Sequence, residues 1–236
     1  MTNVAVSTAP GLSVSTHKVR TVDLLGPAGR LEAVLNEGSP AAPFSAVVCH
    51  PHPLGGGTLH NKVVYHAMKV LNATLWGFSF PVLRFNFRGV GLSQGVHHGT
   101  AESGDVEAAI NWLVNAYKLP VIVVGFSFGA AMALHAACSP GGEGNSPLRA
   151  LVALGLPIQA DGRDYNYSFL KDCSIPKLFL SGERDQYATV ASLIQVVAEV
   201  PEPKRLVFVP AADHFFSGQL QPMQHALATW LKEQIQ

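Results

Sequence analysis

Ser127 stands at the centre of Gly125-Phe126-Ser127-Phe128-Gly129, between a continuous apolar run and an alanine-rich segment. A serine hydroxyl is a weak nucleophile at neutral pH. It does covalent chemistry when a general base lies beside it, most often a histidine held in one tautomer by a carboxylate. The GxSxG pattern acquires meaning from its context. A buried strand before it and a helix after it lift the hydroxyl out of a tight turn whose flanking residues must be small. The run Val121-Ile122-Val123-Val124 and the small-residue segment 128–138 supply that context. The Phe128 N–H then falls at a helix N-terminus, where partial positive charge meets a developing oxyanion.

The partners are expected further along the chain, the acid first and the histidine after it, each in a loop at the carboxyl end of a strand. Ser181-Gly182-Glu183-Arg184-Asp185 follows one apolar run, and Pro210-Ala211-Ala212-Asp213-His214-Phe215-Phe216 follows the next. His214 is read as the base and Asp185 as the acid. Glu183 is the rival acid, but it lies closer to the strand end and is read as a partner of Arg184 or as solvent-facing. Asp213 is read as fastening the loop.

A second oxyanion donor is expected in His50-Pro51-His52-Pro53-Leu54-Gly55-Gly56-Gly57. Pro51 and Pro53 have no N–H to give, which leaves His52, with Leu54 as runner-up. The three glycines let the chain pass close to the site. His50-x-His52 and the pair His97-His98 are the arrangements that could suggest a metal. A lone HxH is a weak signal, and no carboxylate or third histidine stands at ligand spacing near it, so no metal and no cofactor are expected. Arg88 and its neighbouring glycines are read as a structural loop beside the site.

These residues need a scaffold, and the hydrophobic pattern describes one. Residues 19–24 and 31–35 flank Gly26-Pro27-Ala28-Gly29 and read as an opening hairpin. Strands are expected at 46–49, 81–87, 121–124, 150–154, 177–180 and 206–209. Helices are expected at 62–75, 102–117, 128–138, 189–199 and 222–234. Strands alternating with helices argue for a mostly parallel sheet covered on both faces. One domain over residues 18–236 is expected, with 139–147 as a surface loop. Residues 1–17 are Ser/Thr/Ala/Pro-rich and lack the basic and apolar regions of a signal peptide, so they read as a disordered leader.

Composition narrows the function classes. Of the 236 residues, 48% are hydrophobic, enough for a core without staples, and 16 basic residues balance 16 acidic ones. No run of like charge marks a nucleic-acid surface or a polybasic membrane patch, and no apolar stretch reaches the ~20 residues that span a bilayer. A cytoplasmic protein acting on a small ester, as monomer or homodimer, is expected, with a substrate neutral near its reacting group. The three cysteines, Cys49, Cys138 and Cys173, are far apart and odd in number, and are read as small buried hydrophobes and not as a disulfide framework.

Taken together, HPHP-x-x-GGT, R-F-N-F-R-G-V-G-x-S, G-F-S-F-G and D-H-F-F resemble the α/β-hydrolase superfamily. The likeness is to its compact bacterial serine hydrolases, similar in size and layout to dienelactone hydrolase, and it extends from about Lys18 onward. The resemblance implies a three-layer fold around an eight-stranded, mostly parallel sheet whose second strand is antiparallel. It also implies a triad of Ser127, Asp185 and His214, with Phe128 and a loop residue near His52 as oxyanion donors. Serine stands where dienelactone hydrolase carries cysteine, so that enzyme's substrate is not carried over. Residues 156–175, with Asp161, Tyr165, Tyr167 and Phe169, are long enough for a flap and too short for a helical lid. A lightly capped site favours short or small acyl esters. Thioesterase, acyl-peptidase and lactonase reactions share the same chemistry, and a non-catalytic binding protein on the same fold is the alternative of another class.

Overall fold

A computed structural model of the chain describes residues 18–138, 147–160 and 163–235. The expected leader, Asp161 and nearly all of the 139–147 loop lie outside the described residues.

The opening hairpin forms as β1 (Val19–Gly26) and β2 (Gly29–Asn36), antiparallel in full register from Val19↔Asn36 to Gly26↔Gly29. β3 (Ser45–Cys49), β4 (Val82–Phe85), β5 (Val121–Phe126), β6 (Leu148–Leu154), β9 (Lys177–Gly182) and β10 (Lys204–Val209) follow. They build one eight-stranded sheet in the order β1-β2-β4-β3-β5-β6-β9-β10. β2 runs antiparallel to both neighbours, and the pairings from β4 through β10 are parallel. Between β6 and β9, β7 (Gln159–Ala160) and β8 (Arg163–Asp164) pair as a separate two-stranded hairpin. Single-residue periodicity has no purchase on strands so short, which is why the sequence announces this hairpin only as a flap.

Parallel strands need crossovers, and helices supply them. α1 (Lys62–Asn72) and α5 (Leu220–Ile235) cover one face of the sheet, while α2 (Ser103–Tyr117), α3 (Phe128–Cys138) and α4 (Val190–Ala198) cover the other. Every residue of β5 is buried. Its alternate side chains divide between the two cores, Val121 and Val123 toward α2 and α3, Ile122, Val124 and Phe126 toward α1 and α5. That division explains why the run is continuously apolar and not alternating: both faces of a central strand are interior.

Two element ends and one cysteine pairing depart from expectation for identifiable reasons. α1 stops at Asn72 because Ala73 is extended (ψ 128°), and the next residues form a short 3-10 turn. β4 ends at Phe85. Beyond it the Asn86 N–H turns to the Glu32 carbonyl and the Phe87 N–H donates to His50 Nε2. Cys138 and Cys173, read as small buried hydrophobes outside any disulfide framework, are joined in a disulfide with Cα atoms 5.2 Å apart. The reading fails there because the pairing is tertiary. The end of α3 and the 3-10 segment Ser168–Asp172 meet only once β6 and β9 are side by side. Cys49 is the cysteine that remains a buried hydrophobe, and burial pushes its thiol up.

Candidate active site

The site gathers at the carboxyl ends of β3, β5, β6, β9 and β10. At the end of β5 the chain reverses into α3 through Ser127, whose φ of 55° is left-handed. The flanking glycines are dictated by close approach. A Cβ on Gly125 would sit 2.2 Å from the Gly129 carbonyl oxygen, and one on Gly129 would sit 2.4 Å from that of His50. No side chain fits at either position. The Ser127 N–H donates to the Leu154 carbonyl at 2.9 Å, while its own carbonyl accepts from Ala130 and Ala131 and so starts the helix. The hydroxyl is left projecting above the sheet.

His214 reaches it from the loop after β10. His214 Nε2 lies 2.8 Å from Ser127 Oγ, and Nδ1 lies 2.8 Å from Asp185 Oδ2. Asp185 and His214 are both buried. The Asp185 carboxylate also accepts the Ser181 hydroxyl at 3.1 Å and the Tyr187 N–H at 2.8 Å. These fixed donors hold the carboxylate in one orientation, so the imidazole carries its proton on Nδ1 and turns a bare Nε2 to the serine. Phe126 lies against one side of the imidazole at 5.1 Å and Tyr187 meets it edge-on at 4.5 Å.

The other acids near the site have different work. Asp213 accepts the N–H groups of Phe215 and Ser217 and fastens the loop that presents His214; those bonds hold its carboxyl below the usual range. Glu183 accepts the Ala211 N–H, and among the described residues no bond joins it to Arg184. Arg88 lies in a bidentate ion pair with the buried Asp105, which also takes the Arg88 N–H, so this arginine ties the loop after β4 to α2.

The loop after β3 is shaped by its two histidines. His50 Nε2 accepts the Phe87 N–H at 3.0 Å and Nδ1 donates to the Pro51 carbonyl at 2.6 Å, so both ring nitrogens are engaged. Burial lowers its pKa to about 4 and keeps it neutral. The His52 ring turns back so that Nδ1 accepts the Leu54 N–H at 3.0 Å. Leu54 is thereby committed, whereas among the described residues the N–H groups of His52 and Phe128 have no protein acceptor. Gly57 lets the loop fold over itself, since a Cβ there would lie 2.0 Å from the Pro51 carbonyl oxygen.

Above Ser127 opens a cavity of about 330 Å³. Its walls include Pro51, His52 and Leu54 from the loop, Asn61 at the start of α1, Tyr187, and Phe215 beside the histidine. Pro157, Ala160, Arg163 and Tyr165 close it from the flap. Arg163, Asn61 and Tyr187 are site residues that no motif in the sequence singles out, and Ser181 enters the sequence pattern only as the start of the acid segment. They are placed by chain crossings, and Ser181 and Tyr187 carry a local hint, four residues before and two after the expected acid.

Comparison with known proteins follows the same lines. The sequence profile of the alpha/beta hydrolase domain family matches residues 50–233. An uncharacterized protein of Rickettsia prowazekii is 34% identical over 215 residues, which cover 87% of this chain and 86% of the relative. A crystal structure of an α/β serine hydrolase without lid from Xanthomonas campestris superposes with a TM-score of 0.77 at 29% identity, covering 92% of this chain and 94% of that one. Dienelactone hydrolase from Anabaena variabilis, at 18% identity, TM-score 0.73 and coverage of 94% and 100%, shares the fold.

Proposed function

This chain belongs to the α/β-hydrolase superfamily, and from that premise we propose that it is a serine carboxylesterase of short or small acyl esters. The observation that carries the reading is the hydrogen-bonded relay from Asp185 through His214 to Ser127, opening directly into the cavity.

Ser127 Oγ attacks the ester carbonyl while His214 Nε2 takes its proton. The imidazolium that forms keeps its Nδ1–H on Asp185, which stabilises it without becoming protonated. The carbonyl oxygen becomes an oxyanion and accepts from the N–H groups of Phe128 and His52. Phe128 is the better placed electrostatically, because the first N–H groups of α3 have no intrahelical partner. The bond from the Leu54 N–H to the His52 ring favours His52 over Leu54 as the second donor. His214 returns its proton to the departing alkoxide, and the alcohol leaves an acyl-Ser127. Water then repeats the cycle: His214 removes a proton from it, the hydroxide oxygen attacks the acyl carbon, and Ser127 leaves with the proton.

A fluorophosphonate probe tests the nucleophile. The wild-type protein labels covalently and hydrolyses p-nitrophenyl acetate, and Ser127→Ala abolishes labelling and lowers turnover by a factor on the order of 10⁴ or more. Labelling that persists in Ser127→Ala places the reactive serine elsewhere.

A further inference from the structure

The cavity over Ser127 carries an electrostatic bias that an ester bond does not use. Among its described lining residues Arg163 is the one cation, and none of them is Asp or Glu. The other titratable groups in the walls do not offset it. His52 is held neutral, its pKa lowered to about 4 first by burial and next by the Arg163 guanidinium. Burial raises the Tyr165 phenol, with Arg163 pulling the other way, so the phenol keeps its proton at neutral pH. Asp185 lies behind His214, committed to Ser181, Tyr187 and the imidazole.

The backbone that carries Arg163 is also held in place. Arg163 sits on β8, opposite β7, and the start of β7 is tied to the loop after β9: the N–H groups of Ile158 and Gln159 both donate to the Tyr187 carbonyl at 2.9 Å. Behind the hairpin the Tyr167 hydroxyl donates to the Pro157 carbonyl at 2.7 Å. The backbone that carries the guanidinium is thus anchored, and the paired N–H donors of an arginine match the two oxygens of a carboxylate.

We infer that this site selects esters bearing a carboxylate remote from the scissile carbonyl, and that the Arg163 guanidinium receives that carboxylate. The inference rests on the serine-esterase reading and names its substrate class. A single guanidinium with no second cation among the described lining residues matches a monoanion better than a doubly charged phosphate. The reacting carbonyl itself stays neutral, consistent with a balanced overall charge and one local cation.

The test compares charged and neutral esters of equal length within each protein. On the acyl side, mono-p-nitrophenyl glutarate is set against p-nitrophenyl valerate. On the alcohol side, 4-acetoxybenzoate is set against 4-methylphenyl acetate. Wild-type kcat/KM favours the charged member of one pair by about tenfold or more, chiefly through KM, as a charge-assisted hydrogen bond of this kind provides. Arg163→Gln brings that ratio toward one, Arg163→Lys leaves it intermediate, and added salt shrinks the wild-type preference. A wild-type ratio near one in both pairs, or a preference that survives Arg163→Gln, overturns the inference while leaving the esterase reading intact. Hydrolysis of neither member by the wild-type protein overturns both.

Discussion

Ser127 holds a backbone conformation that costs a residue with a Cβ roughly 1–2 kcal/mol. The cost is local and is borne because β5 below and α3 above leave the turn no other path. It can be measured without the complication of the lost hydroxyl by comparing two variants that both lack it. Ser127→Gly is expected to be more stable than Ser127→Ala by about 1 kcal/mol, since glycine enters the left-handed region freely. Urea denaturation midpoints read the difference, and equal midpoints would mean that the turn is unstrained. The same positive φ places the hydroxyl 2.8 Å from His214 Nε2, so the strain and the contact have one origin.

Between elements, the loop after β3 and the chain leaving β4 are joined through one buried ring. His50 accepts from Phe87 and donates to Pro51, an arrangement that only a neutral imidazole can make. Its pKa falls from 6.5 to about 4 on folding, so between these values the unfolded chain binds more protons than the folded one. Stability is therefore complete above pH 6.5 and declines as the pH falls toward 4. Below that value this group takes away nothing more. The loss is on the order of 3 kcal/mol, and His52 adds to it in the same direction, reduced by its partial exposure. Unfolding free energies at pH 7.5, 6, 5 and 4 check the slope, which should flatten in His50→Gln. A wild-type curve that stays level from pH 7.5 to 5 contradicts it. At the same scale the sequence is least informative. The elements themselves are visible in the apolar pattern, and α3 begins and ends where the small-residue run does. The Cys138–Cys173 bridge and the β7–β8 hairpin depend on which strands become neighbours.

Across the whole molecule, the described part of the connection between β6 and β9 forms one wall of the cavity. Among the described residues a two-stranded hairpin and one 3-10 turn make up this connection, and the cavity of about 330 Å³ lies at the small end of ligand sites. Leu54 and Phe215, both substantially exposed, stand at its edge, so a long acyl chain would leave most of its length in water. Hydrolysis of neutral p-nitrophenyl esters is accordingly expected to peak among acetate, butyrate and valerate and to fall by about tenfold or more toward palmitate. Initial rates below the micellar limit measure it. A preference for palmitate would show that an apolar surface beyond this cavity takes part.

The sequence by itself determined a mostly parallel sheet, the helices that cover it and the tight turn at Ser127, because these follow from local pattern: continuous apolar runs, 3.6-residue periodicity and small residues flanking the serine. It also marked His214 and Asp185 as candidates, since each ends a strand in chain order. Only the tertiary structure decided that their side chains meet Ser127 at hydrogen-bonding distance. It alone showed that Leu54 is spent on the His52 ring while the His52 N–H is left open, and that Arg163 faces the cavity. Those outcomes depend on how loops from different strands cross above the sheet. Backbone hydrogen bonds and packing between distant segments set that crossing, and no local spacing encodes it.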